Sequence, residues 1–163
     1  MIRTGIGVDS HRLEAGRPLV LGGVDIPHEE GLAGHSDADV LTHAVIDALL
    51  GAAAMGDIGM HFPDTDERWR DADSLALLRA VVGGLEEHGY RIVNVDATVM
   101  LERPKLAPYR DAIVEKVAAA LGVGASRMSL KATTGEGLGF VGRAEGAAAL
   151  AIATLDRPEE IAT

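Results

Sequence analysis

The sequence contains no cysteine. Disulfides, a thiolate nucleophile and Cys-ligated zinc are therefore excluded, and any metal must be held by His, Asp or Glu. The absence also suits a reducing compartment. Aromatic residues are nearly as scarce, with one Trp, two Tyr and two Phe among 163 residues. A core must then be built from Ala, Val, Leu and Ile, which carry most of the 47% hydrophobic content. No apolar run approaches the roughly 20 residues of a membrane span, and the first residues lack a signal peptide's long apolar stretch. A cytoplasmic protein is expected. Positive charge is short as well: 15 bases against 25 acids leave a formal net charge of −10. That disfavours nucleic acid or an anionic membrane as a partner. It also sets a difficulty for a phosphorylated substrate, which would be repelled unless cations intervene locally. The only lysines are Lys105, Lys116 and Lys131. The length suits a single domain over residues 1–163, able to bury about two-thirds of its unfolded surface.

What is present centres on His35 to Gly59. Ser36 followed by Asp39 reads as a capping box before an apolar run. Beyond it Val40, Leu41, Ala44, Val45, Ala48 and Leu49 recur at helical spacing and should face a core. Asp39, His43 and Asp47 share another stripe of that helix. A histidine between two carboxylates is either a solvated stripe or a metal ligand with supporting partners. The stretch closes on the acidic turn Gly56-Asp57-Ile58-Gly59.

Residues 2–10 read as a strand, apolar at Ile2, Ile6 and Val8 and interrupted by two glycines. Asp9 and His11 follow with a spacing that puts both on one face of an extended chain. Such a pair is either half of a divalent-cation site or unrelated surface polarity. Leu19–Leu21 and Val24–Ile26 suggest a hairpin through Gly22-Gly23. A polar loop, His61 to Asp73, has no periodicity, and loops of that length are usually functional or disordered. Ser74 is expected to cap a second helix that ends at Gly89. Residues 92–101 alternate as a strand. Pro108 opens a third helix ended by Gly122, and Met128–Thr134 is another strand. Residues 147–155 are read as a strand rather than a helix, because Gly142 and Gly146 make a poor helix start. No repeat or linker interrupts the chain, so one α/β (α+β) domain is expected.

Gly137-Leu-Gly139-Phe-Val-Gly142 fits a dinucleotide fingerprint, but a Rossmann unit needs more sheet than the remaining 20 or so residues can supply. Lys131-Ala132-Thr133-Thr134-Gly135-Glu136 places a lysine, two hydroxyls and a carboxylate at a strand end. It is either a subsite for phosphate and a hard cation or an ordinary polar turn. Arg103-Pro104-Lys105-Leu106 is similarly ambiguous. His28 and His88 read as solvated, and His61 has no partner at ligand spacing.

These pieces fall in one order: Asp9-Ser10-His11; Gly34-His35-Ser36-Asp37-Ala38-Asp39-Val40; His43; Asp47-Ala48-Leu49-Leu50-Gly51; Gly56-Asp57-Ile58-Gly59; Phe62-Pro63-Asp64-Thr65-Asp66; Pro104-Lys105; Lys131-Ala-Thr-Thr; and Gly139-Phe140-Val-Gly142-Arg143. In this the chain resembles the 2-C-methyl-D-erythritol 2,4-cyclodiphosphate synthase family of the non-mevalonate isoprenoid pathway, over nearly its whole length. The resemblance implies a phosphorus–oxygen lyase that closes a cyclic diphosphate within 4-diphosphocytidyl-2-C-methyl-D-erythritol 2-phosphate and releases CMP. It implies a mixed β-sheet with helices packed on one face, assembled as a homotrimer with active sites between subunits. Members can be fused to a cytidylyltransferase; at this length a free-standing chain is expected.

Residue by residue, the resemblance implies Zn²⁺ on Asp9, His11 and His43, and Mg²⁺ or Mn²⁺ on Glu136. His35 and Ser36 would hold the 2-phosphate, and Asp57, Ile58, Gly59, Phe62, Pro63, Asp64, Thr65 and Asp66 the methylerythritol. Leu101, Pro104, Lys105, Leu106, Ala107, Lys131, Ala132, Thr133, Thr134, Gly135 and Glu136 would hold cytidine and diphosphate. His35 and Thr134 would stabilise the transition state. Phe140 and Arg143 would face the central cavity or the site mouth, where the family can bind isoprenoid diphosphates. Three departures stand out. Ser10 replaces an aliphatic residue between two zinc ligands and should point away. Gly135 replaces a frequent threonine and predicts a looser loop. Val8 stands where an aromatic residue can line the trimer cavity. Two other readings share these residues: a zinc-dependent phosphohydrolase and a non-catalytic diphosphate-binding trimer.

Overall fold

The computed structural model describes residues 1–157. Of the domain expected over residues 1–163, residues 158–163 lie outside the described residues. Seven strands run β1 (Ile2–Ala15), β2 (Leu19–Leu21), β3 (Val24–Ile26), β4 (Glu30–Leu32), β5 (Arg91–Met100), β6 (Met128–Thr133) and β7 (Gly146–Asp156). The helices are α1 (Val40–Ala53), α2 (Ile58–His61), α3 (Ser74–Glu87), α4 (Arg110–Leu121) and α5 (Gly139–Gly142). Strands β4-β1-β7-β5-β6 form one mixed sheet, antiparallel except for the β5–β6 pair, and β2-β3 form the expected hairpin.

The strand–helix interface explains the glycines of β1. A Cβ on Gly5 would lie 2.2 Å from the Ala48 carbonyl oxygen, and one on Gly7 would lie 2.0 Å from that of Ala44. Helix α1 therefore rests directly on the backbone of β1, which only glycine permits. The alanine-rich β7 supplies the same low profile beside it, with Ala147, Ala149, Ala151 and Ala153 fully buried. Expecting a strand here was correct. Packing against α1 needs small residues at every second position, and that alternation is hidden inside an apparently helix-favouring run. Leu41, Val45, Ala48 and Leu49 are all buried, as their spacing predicts.

Among the described residues nothing covers the opposite face of the sheet, so Ile2, Ile6, Val8 and Ile152 are 63%, 62%, 58% and 40% exposed. Ile2, Ile6 and Val8 of β1 thus point away from the helices, while Gly5 and Gly7 point toward them. Among the described residues the helices pack on one face only.

Several sequence expectations are corrected. Asp39, not Ser36, caps α1, its Oδ1 accepting from the Thr42 amide at 3.0 Å. Asp73, not Ser74, caps α3 through the Leu75 amide. The glycine run closes into the single turn α5. Gly135 also has a packing role: a Cβ there would lie 2.4 Å from the Gly142 amide nitrogen, so glycine lets two backbone segments pack together. Strand β5 shifts register between Ile92 and Asn94, which turns Val93 outward.

Candidate metal centre and active site

Because α1 sits so low on β1, His43 arrives directly beside Asp9 and His11, which share the inner face of the strand. Asp9 Oδ2 lies 2.9 Å from His11 Nε2 and 3.0 Å from His43 Nδ1, and the two ring nitrogens are 3.2 Å apart. A tetrahedral zinc with bonds of about 2.0–2.1 Å spaces its donors about 3.3 Å apart. The triangle therefore fits a metal with little adjustment, and it is the one such group among the described residues. The donor set, two imidazoles and one carboxylate, suits zinc and leaves one side open.

The far nitrogens of both rings are engaged. His11 Nδ1 donates to the Ala33 carbonyl at 2.9 Å. His43 Nε2 lies 2.9 Å from Ser74 Oγ and 3.1 Å from Ser36 Oγ. Such contacts hold the inward nitrogens toward a metal. Burial alone would raise the Asp9 carboxyl, but hydrogen bonds and charge from His11 and His43 outweigh it and hold it well below the usual carboxylate range. For His11 burial acts downward, and the contact with Asp9 prevails and raises it.

The stripe of Asp39, His43 and Asp47 does not act as a unit. The Asp39 carboxylate is fully buried and spent on Thr42 and on the Gly23 amide. Burial raises it despite those bonds. Asp47 accepts the Ile58 amide at 2.8 Å and holds the acidic turn against α1. Neither carboxylate touches the His43 ring. That place is taken by Ser36 and Ser74.

A cavity of about 500 Å³ opens beside the triangle, lined by Asp9, His11, His35, Ser36, His43, Ile58, Gly59, Phe62, Pro63 and Asp64. Gly34, Trp69 and Leu77 complete it and were not expected. Trp69 stacks edge-on against Phe62 with ring centroids 5.0 Å apart, and its buried indole nitrogen has no hydrogen-bond partner. A sole tryptophan in a polar loop was a readable hint. Leu77 belongs to the apolar stripe of α3 and gave none. His35 and Ser36 lie in the bend before α1, not at its first turn. His35 Nε2 lies 3.4 Å from the Asp66 carbonyl, and the Asp66 carboxylate is bound by Arg68. Asp57 caps α2, and neither it nor Thr65 reaches the cavity wall. Ser10 faces the other side of the sheet, as expected.

The remaining expected residues gather elsewhere. The Leu101 amide donates to the Thr133 carbonyl, the Gly135 amide to Glu102, and Thr134 Oγ1 to Glu136 Oε1 at 2.8 Å. Lys105, Ala107, Ala132, Thr133, Thr134 and Glu136 are exposed, Pro104 partly so, and Leu106 is buried. None of them lines the cavity. Lys131 lies on the outer sheet face with its ammonium on the Asp96 carboxylate, which it holds below the usual range. Phe140 is 43% exposed over Gly146, and Arg143 pairs with Glu145. His28 hydrogen-bonds the backbone of Glu30, and His61 that of Met55.

A family model described as the YgbB family matches residues 2–156. A protein from Salinibacter ruber named 2-C-methyl-D-erythritol 2,4-cyclodiphosphate synthase is 62% identical over 154 residues, which covers 94% of this chain and 98% of that one. Among solved structures, the bifunctional IspDF from Campylobacter jejuni superposes with a TM-score of 0.93 at 43% identity, covering 98% of this chain and 43% of that one. A 2C-methyl-D-erythritol-2,4-cyclodiphosphate synthase in its CDP-bound form superposes at 0.87 with 42% identity, covering 94% and 100%. A match that runs from the first strand to the last, and that takes in the whole donor triangle, settles the kinship: the chain belongs to the YgbB family.

Proposed function

We propose that this chain catalyses the reaction named in its relatives, closing 2-C-methyl-D-erythritol 2,4-cyclodiphosphate and releasing CMP. The observation that carries the reading is the donor triangle of Asp9, His11 and His43 facing a mixed, predominantly apolar cavity, in a chain 62% identical to a named synthase. In the reaction, an oxygen of the substrate's 2-phosphate forms a bond to the β-phosphorus, and the bond from that phosphorus to the CMP oxygen breaks. The nucleophile belongs to the substrate, so the protein contributes position and charge, not a covalent intermediate.

Asp9, His11 and His43 would hold Zn²⁺, with Mg²⁺ or Mn²⁺ at Glu136. Bound there, the cations would neutralise phosphate charge that the −10 chain otherwise repels. His35 and Ser36 border the cavity and offer N–H and O–H donors to the 2-phosphate. Ile58, Phe62, Trp69 and Leu77 offer an apolar wall to the carbon skeleton. Thr134, with Thr133, Lys105 and the 101–107 turn, would hold the diphosphate and cytidine.

The second group needs a neighbour. We read the exposed apolar sheet face of Ile6, Val8 and Ile152 as the surface on which three copies meet. Each copy would then lend its Thr134–Glu136 loop to the cavity of the next. The substrate is a small molecule, and the acidic chain is taken as a cytoplasmic enzyme without nucleic-acid or membrane partners. Incubation with the cytidylyl substrate and Mg²⁺, followed by phosphorus NMR, tests the proposal. Cyclic diphosphate and CMP are expected. A linear phosphate product would favour a hydrolase, and absence of turnover would leave only binding.

A further inference from the structure

Of the two imidazoles in the triangle, His43 is the one whose far nitrogen meets side chains, whereas that of His11 meets a backbone carbonyl. Ser74 Oγ, 2.9 Å from His43 Nε2, belongs to the first turn of α3 and is fully buried. Its hydroxyl hydrogen is committed: Ser74 Oγ contacts Asp37 Oδ1, while the Ser74 amide donates to Asp37 Oδ2 at 2.9 Å. A carboxylate only accepts, so the Ser74 hydroxyl donates to Asp37 and turns lone pairs toward His43. The His43 Nε2 must then carry hydrogen, and Nδ1 is left as the metal-facing nitrogen.

We propose that Asp37 and Ser74 are positioning residues, forming a relay Asp37–Ser74–His43 that fixes the tautomer and orientation of His43 at the metal centre. The inference rests on the metal-site reading given above. The relay differs from the contact with Ser36, which lines the cavity and has its hydroxyl available to a ligand. It also ties the wall of the cavity to the metal ligand. The Asp37 amide donates to the Ala72 carbonyl at 3.2 Å and the Asp71 amide to that of His35 at 2.9 Å. The loop carrying Phe62 and Trp69 is thereby stitched to the bend before α1.

A plainer role for Asp37 would be to satisfy the first amide of α3. That role uses only the Ser74 backbone and survives loss of the Ser74 hydroxyl, whereas the relay does not. The test is zinc affinity by competition with a chelator, starting from metal-free protein, beside the melting temperature of each metal-free variant. Ser74→Ala is expected to weaken zinc binding about 10–100-fold with little change in metal-free melting, and Ser74→Thr to restore most of it. In zinc-loaded wild type, nitrogen-resolved NMR should show a slowly exchanging hydrogen on His43 Nε2 that exchanges rapidly in Ser74→Ala. Should Ser74→Ala not fold, Asp37→Asn is measured instead, and a tenfold or greater loss is again expected. Wild-type affinity in the folded variant with an unchanged Nε2 signal would overturn the relay alone. Wild type that takes up no zinc would overturn the metal site itself.

Discussion

The donor triangle and the Thr134–Glu136 loop lie toward the same end of the sheet, yet they are built in opposite ways. The triangle is assembled entirely within the chain, on a strand and a helix locked together by Gly5, Gly7 and the alanines of β7, with every ring nitrogen partnered. The loop is exposed and bonded chiefly to itself and to Glu102. It lines no part of the cavity beside the triangle. One half of the proposed site is thus preorganised by folding, while the other, on the reading proposed above, would be completed only against another copy.

The hardest blow to the preorganised half is His43→Ala. It should abolish stoichiometric zinc and cut turnover by about a thousandfold or more, corresponding to about 4 kcal/mol of lost charge stabilisation. Metal analysis and steady-state assay read this, while light scattering should find the proposed trimer unchanged. Stoichiometric zinc in that variant would remove His43 from the ligand set. Next, Gly7→Ala forces a Cβ to within 2.0 Å of the Ala44 carbonyl oxygen. Overpacking of this kind costs about 1–3 kcal/mol, so calorimetry should show melting lowered by about 2–12 °C. Zinc should bind more weakly too, because α1 must lift His43 away from Asp9.

On the other half, Thr134→Val should lower turnover about 10–100-fold, the loss of one charge-assisted contact. Its zinc content and melting temperature should match wild type, which is the separation the two-part construction demands.

The smallest effect is in pH. His11 is raised and Asp9 lowered in the metal-free protein. The raised His11 stabilises fully below its unfolded value of about 6.5, and that contribution is lost as pH climbs through the folded value. The lowered Asp9 stabilises above about 3.9 and loses its contribution only as pH falls through its folded value. Metal-free protein should thus melt slightly lower at pH 8 than at pH 6. Zinc competes with protons for the same nitrogens, so the melting gain on adding zinc should widen from pH 6 to pH 8. Thermal scans with and without chelator would detect a gain that narrows instead.

From the sequence came the long strands and the three long helices in order, the hairpin through Gly22-Gly23, the helix stops at Gly89 and Gly122, and the shared face of Asp9 and His11. Each follows from a backbone preference or a period of two that acts over a few residues. The short strand β4 and the single turns α2 and α5 were not legible in it. The ordered motifs carried the kinship as well. Tertiary structure alone decided which groups meet the His43 ring. Spacing along α1 nominated Asp39 and Asp47, but a helix cap and a turn amide claimed those carboxylates locally. Ser74 reached His43 from 31 residues away because α3 packs beside α1, a relation no periodicity encodes. The glycines of β1 looked like interruptions in a strand. Only the packed helix shows that they set the height at which a histidine can meet an aspartate.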